Sequence, residues 1–289
     1  MTVARGAGPA GPAPRSPRRR STGPIPTFDK IELNGIRVVV TGATTGLGAA
    51  MAAALAEAGA RVMVTGRDQA RAEEAARGLG SSAVPCQLDV RDERSVAGCV
   101  ARACDAWGGV DMLVNNAGIG MRTVNPRFMT EPQPFWEVTP AGFRDVVETK
   151  LVGCFLMARE VVPLMLRAGG GRIVNISMNE QTMVRHGFVP YGPAGAGVEA
   201  MSRVMAADLA GSSVTVNILL PGGRGTLTGM VPDETPAEVR ARLLDPAVMG
   251  PPIVWLASDH ATGVHDRRIV ANEFDVASAS AMTASDERG

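Results

Sequence analysis

The chain has 289 residues, 45% hydrophobic and only 4% aromatic, and its 29 basic and 29 acidic side chains cancel. That supplies apolar material for one large core, and zero formal charge excludes a whole-protein attraction to nucleic acid or an anionic membrane. Only two of the basic residues are lysines, Lys30 and Lys150, and the one tyrosine is Tyr191. The four cysteines (Cys86, Cys99, Cys104, Cys154) have no metal-type spacing and stand far from the three histidines. No metal site is expected, and the cysteines read as reduced, buried thiols of a cytoplasmic protein.

Residues 1–28 are rich in Pro, Gly, Ala and Arg, with no acidic residue and no apolar run after the arginines. They read as a disordered basic tail rather than an export signal or a nucleic-acid arm. The folded domain is expected over 29–276, and the small, polar residues 277–289 as a second flexible tail. No run of eighteen apolar residues occurs, so no membrane-spanning helix is expected. Within the domain, β-branched runs predict strands over 36–41, 61–65, 110–115, 172–177 and 213–219, with helical periodicity between them, as at 48–58 and 69–78. That alternation predicts a single doubly wound α/β domain, its parallel sheet flanked by helices on both faces. Ligands then bind where the carboxyl ends of the strands line up. Long connections at 118–139 and after Pro221 are candidate binding loops.

The first strand runs into Thr41-Gly42-Ala43-Thr44-Thr45-Gly46-Leu47-Gly48 and then an alanine-rich helix. Glycines there let the backbone approach a pyrophosphate and bring it to the unpaired N–H groups of a helix start. Leu88-Asp89-Val90, Asn115-Asn116-Ala117-Gly118, Tyr191, and Pro221-Gly222 with Thr226 follow. In order and spacing this set resembles the short-chain dehydrogenase/reductase family, over roughly residues 31–272. The resemblance implies a Rossmann-type fold that binds a nicotinamide cofactor. Gly42, Gly46 and Gly48 would cradle the pyrophosphate, with Thr44, Thr45 and Leu47 in the same turn. Asp89 and Val90 would meet the adenine, and Asn116, Ala117 and Gly118 would lie along the cofactor. Pro221 and Gly222 would lead to Thr226 near the nicotinamide amide. The second strand ends in Gly66-Arg67, where an acidic residue would select NAD(H). Arg67 can instead pair with a 2′-phosphate, so NADP(H) is expected over NAD(H).

The chemical end departs from the family pattern. Such enzymes use a tyrosine as acid/base, a lysine four residues on, a serine thirteen residues before it and an asparagine on the preceding helix. The ammonium favours the phenolate, and the serine hydroxyl polarises the substrate oxygen. Tyr191 matches, but the lysine position is Gly195 and the serine position is Met178, with Ser177 just before it; Lys150 stands in the asparagine's place. Three readings follow. The charge has been transposed to Lys150, which enters the volume Gly195 vacates, and Ser177 replaces the serine through a one-residue shift of the strand end. Alternatively, the protein binds cofactor without efficient turnover, as a regulatory member. In the third, the fold has been turned to non-redox chemistry such as elimination, cyclisation or epimerisation. Catalytic candidates are therefore Tyr191, Lys150 and Ser177. Met121, Met178 and Phe188 are candidates for binding an apolar substrate, such as a secondary metabolite. By analogy with the family, a homodimer or homotetramer is expected.

Overall fold

The structure, a computed structural model, describes residues 31–223, 225–233, 235–275 and Ala279. The tail expected at 1–28 lies outside the described residues, as does that at 277–289 apart from Ala279. In chain order the elements begin with β1 (Arg37–Val40), α1 (Gly46–Glu57), β2 (Arg61–Gly66), α2 (Gln69–Gly78), β3 (Ala83–Gln87), α3 (Glu93–Trp107) and β4 (Met112–Asn115). Next come α4 (Pro140–Val147), a π-helical turn (Glu148–Val152), α5 (Gly153–Arg167), β5 (Gly171–Ile176), α6 (Glu180–Met183) and α7 (Tyr191–Asp208). The described chain closes with β6 (Val214–Leu220), α8 (Ala237–Arg240), α9 (Gly250–Ala257) and β7 (Arg268–Val270).

The strands form one sheet in the order β3-β2-β1-β4-β5-β6-β7, every pairing parallel. Successive strand residues face opposite sides, so the sheet has two cores. Val38 and Val40 pack with Met51 and Leu55 of α1 and Ile253 of α9. Val39 and Met63 pack with Val96 and Val100 of α3, Met157 and Val161 of α5 and Ala206 of α7. Helix starts follow local chemistry: Asp68 and Asp92 accept from the backbone N–H groups of Arg71 and Ser95, and Thr139 caps α4 ahead of Pro140. β3 is absent from the sequence-predicted runs because Pro85 interrupts it. A strand at the sheet edge, paired only to β2, tolerates the missing N–H.

Arg37 and Asp111 tie the starts of β1 and β4 together. The Asp111 carboxylate accepts from Arg37 Nε at 2.8 Å, Nη2 at 2.6 Å and the backbone N at 2.9 Å. At the other end of these strands the order reverses: β1 leads outward to β2, β4 to β5. Their carboxyl ends diverge into a crevice, the usual place for a ligand in this architecture.

Candidate active site

The crevice floor is the turn after β1. Gly42 and Gly46 have φ of +63° and +58°, a left-handed conformation that side chains rarely adopt. At Gly48 the constraint is space, since a Cβ there would lie 2.2 Å from the Gly42 carbonyl oxygen and 2.4 Å from Asn116 Nδ2. Asn116 braces the turn by donating from Nδ2 to the Thr41 and Gly42 carbonyls, each at 3.0 Å. Thr41 Oγ1 accepts from the N–H groups of Asn116 and Ala117 at 2.9 Å. Thr45 makes no side-chain cap to α1, and the first turn carries no acidic residue. An anion-ready helix start above a glycine floor fits the pyrophosphate of a dinucleotide. Thr44 folds over Gly66, where a Cβ would lie 2.7 Å from Thr44 Cγ2, and Leu47 packs on the α1 side of the core.

The other cofactor candidates distribute around this turn. Arg67 is exposed at the end of β2. The Asp89 carboxylate is bound by Arg91, with Nη2 at 2.7 Å and Nε at 2.9 Å, which holds its pKa below the ordinary value. Val90 is buried against Gly153 at the start of α5, and Gly118 is half-buried beyond Ala117. Pro221 is buried, and Gly222 lies under Asn272. Thr226 is bridged to Leu244, and Thr228 is the threonine that leans on the glycine turn, its Cβ 3.3 Å from the place of a Cβ at Gly46. Arg224, in the loop after Pro221, lies outside the described residues.

The chemical end gathers on α7 and the π-helical turn. Tyr191 opens α7 and packs with Met121, Phe128, Phe188, Val124 and Met129, an apolar cluster whose Phe128 and Phe188 rings meet edge to face at 5.5 Å. Burial raises the Tyr191 pKa above its usual value. Lys150 is in the π-helical turn, a distortion frequent at functional sites because it re-aims side chains. Its amine lies 5.5 Å from the Tyr191 ring centroid and donates to the Ile176 carbonyl at 3.4 Å. Burial lowers its pKa from 10.5 to about 8, partly opposed by Cys154 and Glu199. Lys150, Cys154, Asn115, Ile176 and Val198 share one small cavity.

Two parts of the transposition reading need correction. Lys150 does not enter the volume left by Gly195: Met178 fills it, and a Cβ on Gly195 would lie 2.5 Å from Met178 Cε and 3.1 Å from Sδ. Met178 does not belong to the cluster that Met121 and Phe188 form with Tyr191. Nor does the end of β5 carry a bulge that would displace Ser177. The β5–β6 register runs unbroken through Ile176↔Leu219, and the Ser177 N–H donates to the Leu219 carbonyl at 2.9 Å. The Ser177 hydroxyl donates to Glu199 Oε1 at 2.6 Å and is committed there.

Sequence reasoning missed the groups behind this surface. Glu199 also accepts from Arg268 Nε at 3.0 Å, and Arg268 Nη2 donates to the Met178 carbonyl at 3.1 Å. Asn115 Nδ2 donates to Asn175 Oδ1 at 2.9 Å, and Asn175 Nδ2 to Ser202 Oγ at 2.8 Å, linking β4, β5 and α7. The Cys154 thiol, pushed up to about 12 by burial, reaches the same Asn175 oxygen. Glu199 and Arg268 are 69 residues apart, and no local pattern signals their meeting.

This fold and site match known proteins across most of the chain. The family model for short chain dehydrogenase matches residues 37–238. The chain is 34% identical over 248 residues to the 3-oxoacyl-[acyl-carrier-protein] reductase of Vibrio cholerae, covering 84% of this chain and 98% of that protein. It is 37% identical over 241 residues to the cis-4-hydroxycyclohexanecarboxylate dehydrogenase of Sinomonas cyclohexanicum, covering 78% of this chain and 90% of that protein. A solved 3-ketoacyl-(acyl-carrier-protein) reductase from Brucella melitensis, complexed with NADH, superposes with a TM-score of 0.72 at 28% identity, covering 83% and 97% of the two chains. The chain belongs to the short-chain dehydrogenase/reductase family. It is an oxidoreductase of the carbonyl/alcohol type built on that family's nicotinamide-binding fold. Among the described residues no helix is long and apolar enough to cross a membrane, and no group of His, Cys, Asp and Glu could hold a metal.

Proposed function

We propose that this enzyme reduces the carbonyl of a largely apolar substrate at the expense of NADPH, with Tyr191 as the proton donor and Lys150 as its cationic partner. The observation that carries this reading is the Lys150 amine above the Tyr191 ring, 5.5 Å from its centroid. The bound nicotinamide supplies the hydride. Tyr191 gives its phenolic proton to the substrate oxygen, and the Lys150 ammonium, in a site poor in water, steadies the phenolate left behind. Tyrosine is already protonated at neutral pH, and burial moves the Tyr191 pKa further from the phenolate. That suits reduction, which needs an acid, better than alcohol oxidation, which needs a base. Met121, Phe128 and Phe188 offer the apolar wall beside the phenol. The exposed Arg67, at the end of a β2 that closes in glycine, suits a 2′-phosphate. Gly42, Gly46 and Gly48 with the start of α1 would hold the pyrophosphate. Exposed Phe143 and Phe155 on the helices flanking the π-helical turn favour a homodimer or homotetramer.

The deciding experiment follows NADPH oxidation with a panel of carbonyl substrates. The panel includes a 3-oxoacyl thioester and the ketone of 4-hydroxycyclohexanecarboxylate, taken from the relatives' activities. Turnover lost in Tyr191→Phe supports the reading. A second reading, cofactor binding without redox turnover, is favoured by Met178 in the serine's place. Saturable NADPH binding with no consumption across the panel would establish it, and substrate conversion with NADPH unconsumed would mark non-redox chemistry.

A further inference from the structure

Two departures from the family pattern, methionine at 178 and glycine at 195, are in contact. The Met178 side chain lies in the space that any side chain at 195 would need, its Cε 2.5 Å, Sδ 3.1 Å and Cγ 3.4 Å from the place of a Cβ on Gly195. Both residues are buried, so the thioether has little free volume to retreat into. The strand end that carries Met178 is pinned as well. Arg268 donates to the Met178 carbonyl at 3.1 Å and, through Glu199, holds the hydroxyl of Ser177 next to it. Moving the Met178 backbone out of place therefore means losing the Arg268 hydrogen bond to its carbonyl, and Arg268 is itself held in an ion pair with Glu199 whose side chains are only 23% and 18% exposed.

We propose that Met178 and Gly195 form one interlocked pair, clamped by Arg268 and Glu199, that closes the α7 side of the site to any cation and makes Met178 a positioning residue. The pair is a single exchange rather than two independent losses: the glycine admits the thioether, and the thioether excludes a longer side chain. Lys150 then approaches Tyr191 from the π-helical turn, one turn of α7 away from the blocked position. It follows, resting on the proposed nicotinamide site, that no ammonium from α7 reaches the nicotinamide half of the cofactor. Grip on NADPH comes from the adenosine half, through Arg67 and the glycine turn. NADPH and adenosine 2′,5′-bisphosphate accordingly bind with similar affinity.

The test is a set of variants of the full chain: Gly195→Lys, Met178→Ser, the two together, and the two together with Lys150→Asn. Thermal unfolding without cofactor reads the interlock. Gly195→Lys alone unfolds several degrees lower, and adding Met178→Ser recovers part of the loss, a non-additive cycle. If the lysine variant does not fold, Gly195→Ala in the parent and in Met178→Ala gives the same cycle with smaller changes. Titration calorimetry with NADPH and with adenosine 2′,5′-bisphosphate reads the positioning role. The combined variants bind NADPH about tenfold more tightly than the parent, the size of one charge-assisted hydrogen bond, with the bisphosphate unchanged. Gly195→Lys alone shows no such gain. Additive unfolding changes, or a full gain of NADPH affinity from Gly195→Lys alone, would overturn the interlock. If neither nucleotide binds to any variant, the cofactor reading fails, while the unfolding cycle still decides whether the pair is interlocked.

Discussion

The Lys150 amine lies over the face of the Tyr191 ring, 5.5 Å from its centroid, and takes its hydrogen-bond acceptor from the Ile176 carbonyl. The cation therefore meets the π-face of the phenol and a strand-end carbonyl. Such a contact is favourable in its own right and strengthens as negative charge spreads into the ring. It also costs desolvation, because Lys150 is only 8% exposed.

Replacing Tyr191 by phenylalanine removes the proposed proton donor and leaves the ring in its cluster with Met121, Phe128 and Phe188. Reduction should fall by about 10²–10⁴-fold. The thermal midpoint should scarcely move, which separates a chemical role from a packing one.

Under the proposed role of Lys150, the buried ammonium sets stability against activity. Its pKa is lowered from 10.5 to about 8 by burial. The folded state therefore disfavours the charged form; the penalty is present in full below about pH 8 and fades as pH rises towards 10.5. Lys150→Met, measured by urea unfolding at pH 7, should stabilise the protein by roughly 1–3 kcal/mol while abolishing turnover. With the ammonium as the active form, the parent's rate should fall as pH rises through about 8. A rate that climbs through that interval would assign Lys150 no cationic role.

Arg67 is expected to distinguish the two nicotinamide cofactors. Arg67→Ala should weaken NADPH binding by about 10–100-fold, the equivalent of one or two charge-assisted hydrogen bonds, and leave NADH nearly unchanged. Calorimetric titration of both cofactors checks it.

Far from the crevice, Asp111→Ala should strip the partner from Arg37, whose side chain is 8% exposed. Leaving that guanidinium buried without its countercharge, with the Trp107 carbonyl at 3.2 Å still accepting from Nη1, should cost about 3–5 kcal/mol in urea unfolding. Cofactor affinity should stay at the parent level below the unfolding transition, since the pair sits at the opposite end of β1 and β4.

The sequence by itself determined what depends on near neighbours. Helix 69–78 is legible to the residue because Asp68 caps it and its apolar positions follow one face. The glycine turn is legible because Gly42 and Gly46 meet backbone requirements set within a few residues. The closeness of Tyr191 and Lys150 was legible from spacing in the resemblance, since each falls on a position the family uses. β3 is missing from the β-branched runs because its proline offends the local rule, and the edge position that excuses it belongs to the assembled sheet.

Tertiary structure decided the rest. Ser177 and Met178, adjacent just past the end of β5, both meet α7, one at Glu199 and the other a turn away in the space beside Gly195. Arg268, from the last strand, meets both Glu199 and the Met178 carbonyl only because β7 lies beside β6. Which of two small volumes an ammonium or a thioether occupies is a question of close packing among segments far apart in the chain. Local sequence patterns carry no record of that competition, because it exists only once the segments are in contact.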